Sequence, residues 1–132
     1  GREAYVADLR RQAAALGVAE AVHISTPTAR IAQAYAASDL VLQLSDKPEA
    51  FGRTVVEALS VGRPVLGWDH GGVGELLRQL QPAGAVPLGD ARALGERALA
   101  LLAQPPSLPT RIPFTLQAMQ RDTLRLYADL AG

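Results

Sequence analysis

The chain has 132 residues, 48% of them hydrophobic and 20% charged, which allows one domain with its own core and excludes a disordered, charge-rich chain. Lysine plus arginine and aspartate plus glutamate each number 13, so no net field draws the protein to nucleic acid or an anionic membrane. The absence of cysteine removes disulfides, thiolate metal sites and a cysteine nucleophile, no apolar run has the length of a membrane span, and a cytoplasmic location is expected.

Apolar residues at helical spacing, Tyr5, Leu9, Ala13 and Leu16, predict a helix over 3–16 that stops at Gly17. AVHIS at 21–25 reads as a short strand. A second helix is predicted over 28–37 through Ile31 and Tyr35, and DLVLQL at 39–44, nearly all apolar, reads as a strand covered on both faces. Residues 52–61 predict a helix, PVLGW at 64–68 a strand, 72–80 a helix, and GAVPL at 84–88 a short edge strand, where Pro87 is tolerated. Asp90 is placed to cap a helix running to Ala103, with Leu94, Ala98, Leu101 and Leu102 on its inner face. PPSLP at 105–109 is linker-like, and 115–130 closes the chain as an amphipathic helix presenting Leu116, Met119, Thr123, Tyr127 and Leu130. Helix and strand alternate throughout, so the expected class is α/β: a Rossmann-like parallel sheet with helices on both faces, binding ligands beyond the carboxyl ends of its strands.

The segment EAFGRTVVE at 49–57 lies at such an end, after a predicted strand and running into a predicted helix. The start of that helix presents N–H groups ahead of the first intrahelical bond, which together with the helix dipole suit a phosphate, and Gly52 lets a ligand approach the backbone. Glu49 and Glu57 flank this point. A carboxylate accepts two hydroxyl hydrogen bonds, so a pair of them reads sugar and ribose diols, and a phosphate between two diols describes a nucleotide sugar. The plain alternative is a solvated loop glutamate and a helix-surface glutamate.

The longer run EAFGRTVVEALSVGRPV at 49–65, followed by DHGGVGELL at 69–77 and preceded by AASDLVL at 36–42, resembles family 4 of the retaining GT-B glycosyltransferases. The shared features are two glutamates with seven residues between them, the small residues and proline leading into the next strand, and the Gly-Gly turn with a following glutamate. Position by position, the resemblance implies that Glu57 binds the ribose and that Glu49, the catalytic candidate, contacts donor-sugar hydroxyls. The amides of Ala50, Phe51 and Gly52 are implied to hold the sugar, Arg53 and Thr54 the diphosphate, and Ser25 and Thr26 the base. His70 reads as a loop residue near the site rather than a base, and His23 as structural. No metal and no other cofactor is implied. The substrate is a nucleoside diphosphate sugar, and the acceptor a polysaccharide or lipopolysaccharide, with the full-length protein cytoplasmic or peripheral at the inner membrane.

On the same resemblance, 1–104 is a partial donor-binding domain, the C-terminal half of a GT-B fold, and 105–132 a linker with a helix packed on it. The first strands of that domain and the acceptor-binding domain are expected to be absent. Transfer needs preorganised cations and a second domain closing over the donor, so little or no transferase activity is expected of this chain alone. The gap between the strands at Val22 and Leu40 leaves three outcomes: direct pairing, exchange with another copy, or a rearranged sheet. Self-association through the sheet follows from exchange, and through the closing helix from an apolar face that would otherwise pack toward the absent acceptor domain. A nucleotide-sugar epimerase or phosphorylase of the same fold, or a non-catalytic nucleotide-binding module, are the competing readings. The lack of a Gly-x-Gly-x-x-Gly run after a strand disfavours a dinucleotide-dependent dehydrogenase.

Overall fold

The computed structural model describes residues 1–25, 30–47 and 52–109. Its helices are α1 (Arg2–Ala15), α2 (Ile31–Ala36), α3 (Arg53–Ser60), α4 (Gly71–Leu80) and α5 (Ala91–Ala103), and its strands β1 (Val41–Gln43), β2 (Val65–Trp68) and β3 (Ala85–Val86). The strands form one parallel sheet in the order β1-β2-β3, with Val41 opposite Val65 and Gly67 opposite Ala85. The predicted helix at 115–130 lies outside the described residues.

Side chains alternate across a strand, and β2 shows it. Val65 joins Val41, Val55, Val56, Leu59, Val73, Leu76 and Leu77 beneath α3 and α4. Leu66 turns the other way, to Val86 and Leu101 beneath α5. The sheet therefore carries helices on both faces, the layered arrangement expected for the chain. Local chemistry sets the helix ends. Gly17 adopts φ 75° and lets its own N–H and that of Val18 return to the carbonyls of Ala14 and Ala13, which stops α1. Asp90 caps α5 by accepting from the Ala93 N–H at 2.9 Å.

Four expectations fail, the first being the cover expected on both faces of 39–44, where Leu42 is 50% and Leu44 37% exposed. Residues 21–25 are not a strand: Ala19–Ala21 form a 3₁₀ turn, 22–25 have no ladder, and Val22 is 44% exposed. A strand needs a partner to satisfy its N–H and C=O groups, and β1 pairs only with β2 among the described residues, so direct pairing across the gap does not occur. Instead Arg2 Nη2 donates to the Ser25 carbonyl at 3.0 Å, tying the segment to α1. The apolar face expected of α1 is largely uncovered, with Ala13 buried and Tyr5 and Leu16 exposed. In α5 Leu101 is buried but Leu102 is exposed, because the sheet beneath α5 is narrow.

Candidate functional site

The parallel register brings the carboxyl ends of β1 and β2 side by side, and each strand runs on toward a helix that starts at this end. Glycines allow the two helix starts to approach the sheet and each other. A Cβ on Gly52 would lie 3.1 Å from the Val73 Cα and 3.3 Å from the Gly72 carbonyl, so the turn into α3 rests on the first turn of α4. A Cβ on Gly67 would meet the Gln43 carbonyl at 2.9 Å and Val73 Cγ1 at 3.0 Å, so β2 must be bare here for α4 to seat. Asp69 and Arg78 form an ion pair that joins the loop after β2 to the far part of α4.

In α3 the first intrahelical donors are Val55 and Val56, both to the Gly52 carbonyl, at 3.1 and 3.3 Å. The amides of Arg53 and Thr54 thus precede the helical ladder, at the positive end of the helix dipole. One turn later Glu57 has a side chain only 10% exposed. Its Oε1 lies 3.1 Å from Arg53 Nε, near enough for an ion pair, yet that N–H is not aimed along a hydrogen bond, and Oε1 has no hydrogen-bond donor among the described residues. Buried carboxylate oxygens are ordinarily satisfied, so this one is an open acceptor. Burial raises the carboxyl above its ordinary 4.5, against the downward pull of the Arg53 guanidinium.

That shift has a stability consequence with a definite sign. A carboxyl whose pKa is raised by folding contributes stability that is complete below its unfolded value and lost as pH rises through the folded one. Glu57→Gln is therefore expected to remove this decline and to melt at a higher temperature than the wild type near neutrality. Thermal melts from about pH 4 to about pH 8 check it. A variant less stable than wild type near neutrality but not in acid would show that the Arg53 pair outweighs desolvation.

Two further side chains frame the start of α3. Gln43, at the end of β1, donates from Nε2 to Thr54 Oγ1 at 3.3 Å and accepts at Oε1 from the Ser45 N–H at 3.2 Å. His70, the residue before α4, lies with Nε2 3.3 Å from the Ser45 carbonyl, which fits its reading as a loop residue. The residues predicted for the diphosphate and ribose, Arg53, Thr54 and Glu57, thus lie on one helix, and Gly52, predicted for the donor sugar, is the residue before it. Glu49, Ala50, Phe51 and Thr26 lie outside the described residues. Ser25 lines a cavity of about 380 Å³ with Arg2, Glu3, Val6, Ala7, Arg10 and Ile24, and no residue of α3 is among them. The sequence reading missed Gln43, although a lone amide in the apolar run 39–44 was a visible signal. Among the described residues no three of histidine, aspartate and glutamate lie close enough to hold a metal, and no helix is long and apolar enough to cross a membrane.

Known proteins are similar to this chain in sequence. The sequence model of the glycosyl transferases group 1 family matches residues 1–113. N-acetyl-alpha-D-glucosaminyl L-malate synthase of Bacillus anthracis is 35% identical over 72 residues, which is 54% of this chain and 19% of that protein. The matched stretch therefore spans about a fifth of the relative's length. The group 1 match overturns the assignment to family 4. A short run of glutamates, glycines and a helix start describes a local site for phosphate and diols, and such a site does not separate families that share it. A match along most of the chain does. The chain is a parallel α/β, Rossmann-like domain consistent with part of a GT-B fold, and it belongs to the glycosyl transferases group 1 family.

Proposed function

We propose that the turn and helix at 52–57 bind the nucleotide part of a nucleoside diphosphate sugar, and that in the full-length protein this domain presents the donor for transfer to an acceptor. The observation that carries the reading is Glu57 Oε1, a buried acceptor paired in charge with Arg53 but without a hydrogen-bond donor among the described residues, one helical turn beyond the amides of Arg53 and Thr54. A ribose hydroxyl supplies the missing donor, and the helix start together with the Thr54 hydroxyl takes the diphosphate. Within this proposal Glu49, Ala50, Phe51 and Gly52 take the donor sugar, with Glu49 the catalytic candidate, and Ser25 and Thr26 take the base. Transfer with retention of configuration, without a metal, to a polysaccharide or lipopolysaccharide is proposed with them. The domain boundary is placed at residue 104, and the acceptor domain lies in another part of the full-length protein.

Calorimetric titration with uridine, guanosine and adenosine diphosphates tests the ribose assignment. Loss of a hydrogen bond to a charged group weakens binding by about 1.5–3 kcal/mol, so Glu57→Gln is expected to lower affinity by roughly tenfold or more. The loss should shrink for the 2′-deoxy nucleotide, which has already surrendered a hydroxyl. Binding that is indifferent to the substitution sinks the assignment. Affinity should also rise with pH as Glu57 ionises, because the carboxylate accepts where the acid does so more weakly.

A further inference from the structure

We infer that Gln43 is a positioning residue for the anion site: its side-chain amide obliges the Thr54 hydroxyl to act as a donor toward the diphosphate. The inference rests on the phosphate role proposed above for Thr54.

An amide side chain has an acceptor end and a donor end, and the choice between them is ordinarily assigned from the surrounding network. Here the network decides it. The Ser45 N–H can only donate, and it lies 3.2 Å from Gln43 Oε1. Turning the amide over would set N–H against N–H, so the carbonyl end belongs to Ser45 and the NH2 end to Thr54, at 3.3 Å. Thr54 Oγ1 is then an acceptor toward the strand, and its own proton must be given elsewhere. It sits half-buried in the first turn of α3, where the amides of Arg53 and Thr54 precede the ladder. A hydroxyl barred from donating to Gln43 adds a third donor to that group. A phosphate oxygen is the acceptor that suits all three.

The same amide also stiffens the loop after β1. Ser45 is held at its N–H by Gln43 and approached at its carbonyl by His70 Nε2, while the Lys47 N–H donates to Ser45 Oγ at 3.3 Å. One side chain thus links the loop that leads toward Glu49 with the helix start that faces the diphosphate.

The test sets the intact protein against nucleoside diphosphates and the matching nucleosides by calorimetry, with thermal melts on every variant. Gln43→Glu is isosteric, but its carboxylate accepts from both Ser45 N–H and Thr54 O–H, so it draws the hydroxyl proton back and faces the diphosphate with a negative charge. It is expected to weaken diphosphate binding about tenfold or more while the nucleoside affinity moves by about twofold at most. Gln43→Met, neutral and of similar length, should produce a smaller loss, again confined to the diphosphate. It keeps the test open if a charge in the strand prevents folding. In a Thr54→Val background Gln43→Met should cost nothing further, since the hydroxyl it acts through is gone. Equal losses for nucleoside and diphosphate would indicate a merely structural role and overturn the inference. Unchanged diphosphate binding in both Gln43 variants overturns it as well. If Glu57→Gln proves silent while the Gln43 and Thr54 pattern holds, the ribose assignment fails and the positioning role stands. No binding of any nucleoside diphosphate to the wild type overturns both.

Discussion

Gly84→Ala is expected to destabilise the protein by about 3 kcal/mol or more, at the upper end of what overpacking a core costs. Gly84 ends the 3₁₀ turn Pro82–Gly84 and is buried against the central strand. A Cβ there would collide with the backbone carbonyl of Val65, and would stand 2.9 Å from Gln81 Nε2 and 3.2 Å from Leu77 Cδ2. A flexible side chain could move aside, but the carbonyl belongs to β2, which is paired on both sides and cannot. The methyl group must therefore lever the turn off the sheet and take the entry to β3 with it. Urea unfolding measures the loss as a lower midpoint at unchanged slope. Gly95→Ala is the control: nothing lies within 4 Å of its Cβ position, and a helix-interior alanine there should stabilise by about 0.5–1 kcal/mol. A Gly84→Ala variant within about 0.5 kcal/mol of wild type, in the range of a neutral surface change, would show that the turn yields freely.

Gln81→Leu is expected to cost about 2–6 kcal/mol, the sum for leaving one buried donor and one buried acceptor unpaired. The β2–β3 ladder begins only at Gly67 opposite Ala85, which leaves Val65 without a strand partner on that side. Gln81 takes the partner's place: its Oε1 accepts from the Val65 N–H at 2.8 Å and its Nε2 donates to the Val65 carbonyl at 3.0 Å. Both residues are buried, Gln81 to 2% exposure and Val65 to 0%. Leucine matches the volume but answers neither group, and water has no access to replace it. The readout is again the urea midpoint, together with faster hydrogen exchange at the Val65 amide. Wild-type stability in Gln81→Leu would mean that Val65 finds another partner. Because Gln81 and Gly84 share the Val65 carbonyl, the two substitutions should not add, and a double variant less damaged than the sum would confirm their common target.

Several elements of this fold were legible because they depend on local chemistry. The helical spacing of Val55, Val56 and Leu59, the apolar run at 64–68, the glycine stop at Gly17 and the Asp90 cap all act within a few residues of themselves. Strand 21–25 was misread for the opposite reason. AVHIS has the composition of a strand, but the hydrogen bonds that would make it one come from a neighbour that β1 does not provide. The exposed leucines at Leu16 and Leu102 failed in the same way, since helical periodicity says which residues share a face and not whether anything covers it.

For the candidate site the division falls at the side chains. By itself the sequence determined that a turn, a helix start and Glu57 stand at the carboxyl end of a parallel strand, because strand, glycine and helix follow one another along the chain. Only the tertiary structure decided that Glu57 Oε1 is buried and, among the described residues, an open acceptor, that Gln43 reaches Thr54, and that Gln81 stands in for a missing strand residue at Val65. Those facts depend on which backbone groups already have partners and which do not. Hydrogen bonds between residues 11 and 16 positions apart are settled by the packing of sheet and helices, which no local spacing records.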